Sequence, residues 1–218
     1  MTAKITLHQL PGSPNSIKVR IALNHKGIAW TSAPFPIEGP PPGDRSALVE
    51  LSGQPFTPVL QHGETIVFDS GSILRYLEAN FRGTPPLFSP DYQTQRAIER
   101  WETFLRTDIE PPVGAIFGQV FAPSPDLGQC EAATRLIQEN TADLEKVLSK
   151  SPYLMGDSLT AADVVLVPFV NLAMIEPSPD EGPIYAFFRE HFHLGEGRDA
   201  TRDWVKRVMA LADTPAMA

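Results

Sequence analysis

The character of the hydrophobic pattern changes once along the chain, between Gly83 and Asp91, and that change constrains the fold more than any other feature. Before it, strand-length and helix-length segments alternate. "KITLHQL" alternates loosely between apolar and polar residues and is the length of a strand. "GSPNSIKVRIALNHKGI" sets Ile17, Val19, Ile21, Ala22 and Leu23 as in a helix embedded in a core, with Gly27 where a C-cap belongs. "AWTSAPFPI" suits a second strand, and "GDRSALVELSG" a short helix ended by Gly53. "TPVLQHGETIVFDS" reads as a hairpin around His62-Gly63. "SGSILRYLEANF" returns to a helical period through Ile73, Leu74, Leu77 and Phe81. The expected order is β-α-β-α-β-β-α.

"RGTPPLFSPD" is a proline-rich link, and no convincing strand follows it. "YQTQRAIERWETFLRTDIEPP" carries Ile98, Trp101, Leu105 and Ile109 on one stripe. "LGQCEAATRLIQENTADLEKVLSK" is helical through Leu136, Leu144 and Leu148. "LTAADVVLVPFVNLAMIE" is nearly all apolar, so it belongs at the centre of its domain, and "DATRDWVKRVMAL" is a further helix. The expectation is a small α/β domain over residues 1–82, a linker over 83–91 and an all-helical domain over 92–218.

Composition narrows the partners. The net charge is -8 and basic residues do not run together, which argues against nucleic acid and anionic membranes. No apolar run approaches the ~18 residues of a membrane-spanning helix, and the first ten residues lack a signal-like apolar core. A cytoplasmic protein is expected. The single cysteine, Cys130, permits no intrachain disulfide, and no metal site is expected.

Three short motifs stand out, and each has an ordinary structural explanation. Ser13-Pro14 opens a helix, where serine caps and proline sacrifices no needed N–H. Alternatively the hydroxyl sits at the positive end of the helix dipole and donates to an anion such as a thiolate. Thr57-Pro58 precedes an apolar strand, where proline is tolerated; a cis bond there would turn the preceding backbone outward to pair with a ligand. Asp69-Ser70 joins a strand to a helix. It is either another cap or a carboxylate site, with Asp69 able to answer an ammonium.

The order and spacing of these motifs resemble the cytosolic glutathione S-transferase family over nearly the whole chain. "SPNSIKVRIALNHKGI", "TPVL" and "FDSGSILRYLE" carry the resemblance in the first half. "GDSLTAADVVLVPFV" carries it in the second, where Thr160 and Asp163 form a capping box that Leu159 and Val164 can staple. The resemblance implies a thioredoxin-like N-terminal domain that binds glutathione and an all-α C-terminal domain that shapes an apolar pocket. It implies that Ser13 stabilises the glutathione thiolate, as in serine-type classes, with Asn15 as a second donor, since "SPN" is also similar to a hydroxyl-Pro-Asn pattern of bacterial members. It gives Thr57 and Pro58 to the cysteinyl part of glutathione, and Asp69 and Ser70 to the γ-glutamyl end. Three positions depart from the pattern, one of them being Asp69, an aspartate where the family more commonly has glutamate. Phe56 stands where serine-type members often carry glutamine, and only Arg45 approximates the usual basic contact of the second helix.

These implications define a transferase that directs the thiolate at a small hydrophobic electrophile, with glutathione as cosubstrate and a homodimer as the family's usual assembly. A glutathione-dependent disulfide reductase or peroxidase is the alternative that "SPN" motivates. A binding protein that keeps the fold without catalysis is the one that Phe56 and the missing basic contact motivate. Phe117 and Phe121 are candidates for the apolar pocket, or else core. His8 reads as a strand or surface residue and Cys130 as inert.

Overall fold

The computed structural model describes residues 3–35, 43–179 and 182–213. They form two compact units, Met1–Phe88 with Met209–Ala218, and Ser89–Val208.

In the first unit, β1 (Ile5–Gln9) alternates as its sequence does, with Ile5, Leu7 and Gln9 buried. Helix α1 (Pro14–His25) follows and is buried on nearly every side. It ends as Gly27 takes φ +63°, a conformation a Cβ would penalise. The Gly27 N–H then donates to the Asn24 carbonyl, and the Ile28 N–H to the Leu23 carbonyl. Strand β2 (Thr31–Pro34) pairs parallel to β1, so the connection has to be a crossover, and α1 supplies it. The last part of the expected second strand, Pro36-Ile37, lies outside the described residues.

Helix α2 (Ser46–Ser52) leads to β3 (Val59–His62) and β4 (Thr65–Phe68), the expected hairpin, and then α3 (Ser70–Asn80). The strand order is β2-β1-β3-β4, with β3 antiparallel to both neighbours. This mixed four-stranded sheet with its helices is a thioredoxin-like arrangement. Lys26, almost fully buried, donates from Nζ to Glu78 Oε2 at 2.8 Å and to the Pro85 carbonyl at 2.9 Å. Glu78 also accepts from the Leu87 N–H at 3.1 Å. The end of α1, the middle of α3 and the proline-rich link are thereby tied through one ion pair.

The second unit is helical. Helix α4 (Tyr92–Phe104) passes through a widened π-type turn, Leu105–Ile109, into α5 (Glu110–Val120). Helices α6 (Leu127–Leu148), α7 (Ala161–Val170), α8 (Pro183–His191) and α9 (Asp199–Ala212) complete it, α9 up to Val208. All ten residues of α7 are buried, as its composition predicts. Three details differ from the sequence reading. The helix expected to stop at Pro112 continues to Val120, because Pro111 and Pro112 fall in the first turn of α5, where no N–H is required. Helix α8 carries no expectation at all. In α6, Leu136 is 47% exposed and Ile137 faces the core instead.

The unit is pinned by two carboxylates. Asp163 accepts from the N–H groups of Leu154 and Thr160 and from the Trp204 indole, each at 2.9 Å, and from the Thr160 hydroxyl at 3.1 Å. The reach back to Thr160 is the capping box read from sequence. Complete burial pushes the Asp163 carboxyl above the ordinary aspartate range, against the pull of those four donors. Glu145 of α6 accepts from the N–H groups of Ala200 and Thr201 at 3.1 and 2.9 Å and from the Thr201 hydroxyl at 2.7 Å, closing the start of α9. Burial works against its charge. The Thr201 and Ala200 donors and the charge of Arg198 outweigh it and hold the carboxyl below the usual glutamate range.

Candidate functional site

The sheet register gathers the three motifs. His8, near the end of β1, pairs with Val59 at the start of β3. Val59 in turn pairs with Phe68, the last residue of β4. One end of the sheet therefore carries the exit from β1 toward Ser13, the entry to β3 at Thr57-Pro58, and the exit from β4 at Asp69-Ser70. The Thr57–Pro58 peptide is cis, the second of the two readings that the motif allows.

Ser13 is the N-cap residue of α1, with extended backbone at φ −71° and ψ 128°. Its carbonyl accepts from the Ile17 N–H at 2.9 Å, but its hydroxyl makes no cap hydrogen bond. Other N-caps behave differently. Asp69, Asp91 and Asp126 each accept from the backbone N–H three residues on, of Ser72, Thr94 and Gln129. Among the described N-caps with a short polar side chain and no capping box, Ser13 is the exception. Its hydroxyl is not committed to the helix and can donate to an anion at the helix start.

Asn15 joins the two helix starts. Its Oδ1 accepts from Ser70 Oγ at 3.4 Å and from Lys18 Nζ at 2.9 Å. Ser70 is the first residue of α3, so a ligand held there would lie beside the first turn of α1. Asp69 sits at φ 55° and ψ 143°, outside the regions comfortable for a residue with a Cβ, a conformation that costs about 1–3 kcal/mol. Its carboxylate offsets this by taking the Ser72 N–H at 3.0 Å and the Ser72 hydroxyl at 3.2 Å. The capping reading of Asp69 is thus realised. A carboxylate has about four acceptor sites, so capacity remains for an ammonium.

Gln54 builds the loop before Thr57. Its Nε2 donates to Ser52 Oγ and to the Phe56 carbonyl, and its Oε1 accepts from the Phe56 N–H at 2.7 Å. Phe56, its backbone held by Gln54, is 73% exposed. Arg45 precedes α2 and lies over the Phe35 ring, 5.6 Å from its centroid. His8 shares a hydrogen bond with Gln61 across the strands at 3.3 Å, consistent with a strand role. Phe117 and Phe121 of the helical unit meet edge to face, 5.5 Å between centroids, and are 48% and 40% exposed. Sequence reasoning passed over Lys18 and Gln54. Neither has a sequence signature, because each matters through what its side chain reaches.

No helix among the described residues is long and apolar enough to cross a membrane, and none of them form a group of three or more His, Cys, Asp or Glu placed to hold a metal. Comparison with known proteins agrees with the architecture. Residues 7–85 match the family model of the glutathione S-transferase N-terminal domain, and residues 129–212 match that of the C-terminal domain. Glutathione S-transferase F10 of Arabidopsis thaliana is 28% identical over 165 residues, covering 72% of this chain and 75% of that protein. Elongation factor 1-gamma 1 of Oryza sativa subsp. japonica is 26% identical over 167 residues, covering 74% of this chain and 38% of that protein. Among solved structures, the theta class glutathione S-transferase from the citrus canker pathogen Xanthomonas axonopodis pv. citri, with glutathione bound, superposes with a TM-score of 0.73. That match is 24% identical and covers 100% of this chain and 99% of the other. Two family domains in the family's order, on a thioredoxin-like sheet domain followed by an all-α one, make this chain a member of the glutathione S-transferase family of enzymes.

Proposed function

We propose that the chain activates the thiol of glutathione for attack on a small hydrophobic electrophile. The observation that carries the reading is the Ser13 hydroxyl, set at the start of α1 and not used as a cap. A free thiol titrates near ~8.5, so lowering it by about two units takes roughly 2.7 kcal/mol of preference for the thiolate. A hydroxyl hydrogen bond to the anion, the α1 dipole and the Asn15 amide supply that together. Serine is not the nucleophile. The thiolate sulfur attacks the electrophilic carbon, and the leaving group departs with its electron pair. In this reading Thr57, beside Pro58, pairs through its backbone with the cysteinyl part. Ser70 holds the γ-glutamyl carboxylate and Asp69 answers its ammonium. Residues 1–82 bind glutathione, 92–218 shape the electrophile's pocket, and the protein works in the cytoplasm as a homodimer.

A disulfide reductase or peroxidase is the second reading, and Asn15 favours it. It stands two residues from Ser13 and is bonded to Ser70, and an Asn15→Ala change more damaging to turnover than Ser13→Ala would make Asn15 the main donor and favour this reading. Calorimetry with glutathione, followed by turnover with an aryl halide and with a mixed glutathione disulfide, decides among the readings. Binding with faster conjugation supports the transferase, and binding with faster disulfide reduction supports the reductase. No heat of binding at millimolar glutathione rejects both and leaves a non-catalytic binding protein.

A further inference from the structure

Helix α1 buries a lysine within the candidate site. Lys18 is 5% exposed, and its Nζ lies 2.9 Å from Asn15 Oδ1, one turn earlier. An ammonium has three donors and no acceptor, whereas a carboxamide has one end of each kind. Turning the Asn15 amide over would set its NH2 group against the ammonium, donor against donor. The Ser70 hydroxyl, at 3.4 Å from the same oxygen, does not impose that choice, because a hydroxyl can rotate and accept instead. The sense of the amide is therefore fixed by Lys18.

We infer that Lys18 is a positioning residue that holds Asn15 Oδ1, so that Nδ2 is the end of Asn15 presented to the ligand's sulfur. The inference rests on the glutathione reading above. With Nδ2 toward the sulfur, the amide donates to the thiolate. With Oδ1 there, it would repel the thiolate and favour the protonated thiol. The lysine acts on the pKa of the ligand through the orientation of a neutral neighbour. An alternative route is direct, since a cation near a thiolate also lowers its pKa, and the two routes respond differently to removal of Asn15.

The test is a cycle of Lys18→Met, Asn15→Ala and the double variant, each titrated for the ultraviolet absorbance of bound thiolate and assayed for turnover. Lys18→Met is expected to raise the pKa of bound glutathione and lower kcat roughly tenfold, with KM for glutathione within about twofold. Lys18→Arg, also a donor without an acceptor, is expected to restore most of the wild-type titration. In the Asn15→Ala background, Lys18→Met should change nothing further. A Lys18→Met protein that titrates like wild type overturns the inference. So does an effect equally large without Asn15, which would mean that Lys18 acts by charge alone. Melting curves check that the variants fold. If Lys18→Met does not, Lys18→Gln takes its place in the same cycle, since a glutamine permits both senses of the Asn15 amide, and the same outcomes decide. A wild-type protein that shows no bound thiolate at any pH defeats the glutathione reading itself, a result distinct from a flat Lys18→Met series in a wild type that titrates.

Discussion

The starts of α1 and α7 are built from similar sequence and put to opposite uses. Each places a hydroxyl residue at the N-cap, Ser13 and Thr160. At α7 the polar groups are saturated: Asp163 takes four donors and is completely buried. At α1 the serine oxygen caps nothing, and the neighbouring polar side chain, Asn15, is turned toward Ser70 and Lys18. A helix start whose donors are all satisfied locks packing. One that keeps a polar group uncommitted at a partly exposed sheet end leaves it to water, which a ligand can replace. The comparison predicts that substitutions at α7 act on stability alone and those at α1 on chemistry alone.

The largest effect tests the first half of that statement. Asp163→Ala leaves two backbone N–H groups and the Trp204 indole without their acceptor in a dry interior. It should cost about 3–5 kcal/mol, read as a lower urea midpoint. The fraction still folded should bind glutathione with an unchanged thiol pKa. A shifted pKa in the folded fraction would break the division between the two helix starts.

Ser13→Ala comes next and should show the converse. With no cap bond to lose, the melting midpoint should move by no more than the few tenths of a kcal/mol of an ordinary surface change, not the ~1 kcal/mol of a working cap. The bound thiol's pKa should rise, and turnover at neutral pH should fall by roughly ten- to a hundredfold, recovering in part as pH increases. A lower melting point with an unchanged titration would return Ser13 to the role of a cap.

The two helix starts were not equally legible in sequence. The box at Thr160 and Asp163 follows from residue types three apart, and "SPN" was visible as a motif. That the Ser13 oxygen goes unused depends on geometry no spacing encodes. Most of the fold was legible for the same local reason: period and punctuation mark every element from β1 to α3. Helices α5 and α8 were missed. "EPPVGAIFGQV" reads as a break, because two prolines and two glycines interrupt it, yet its prolines occupy the one turn where they are harmless. Helix α8 is nine residues long and follows a proline-rich stretch. Lys18 was invisible because a lysine on a helix is expected to face water. Helix α1 has almost no such face, so only tertiary packing could reveal it.

Glu145 gives a smaller effect and sharpens the comparison with a helix start closed from outside. Its folded pKa lies below the ordinary value, so it stabilises the protein above the usual glutamate range. That contribution is lost as pH falls through the lowered folded value. Glu145→Gln keeps one acceptor and loses the charge, and should cost about 1–2 kcal/mol at neutral pH. The gap to wild type should close as the medium becomes acid. A gap that stays constant down to the acid limit would mean that the carboxylate's charge contributes nothing to closing α9.

The smallest effect is expected at Cys130, a natural confounder for any thiol titration, since it is the chain's own thiol. It lies on α6 with 2% exposure, and burial, aided by the nearby charge of Asp126, pushes its thiol above the ordinary range. At the pH where bound glutathione ionises, Cys130 therefore stays protonated, and a protonated, covered sulfur neither absorbs as a thiolate nor exchanges with disulfides. Cys130→Ala removes one small apolar group, with a stability loss of about 1 kcal/mol or less and no change in turnover or in the glutathione titration. A disulfide reagent should label the native protein slowly and the urea-unfolded protein at once. Rapid labelling of the native protein, or loss of disulfide reductase activity in Cys130→Ala, would place a second working thiol in the helical unit. The assignment of the chemistry to the start of α1 would then have to be shared.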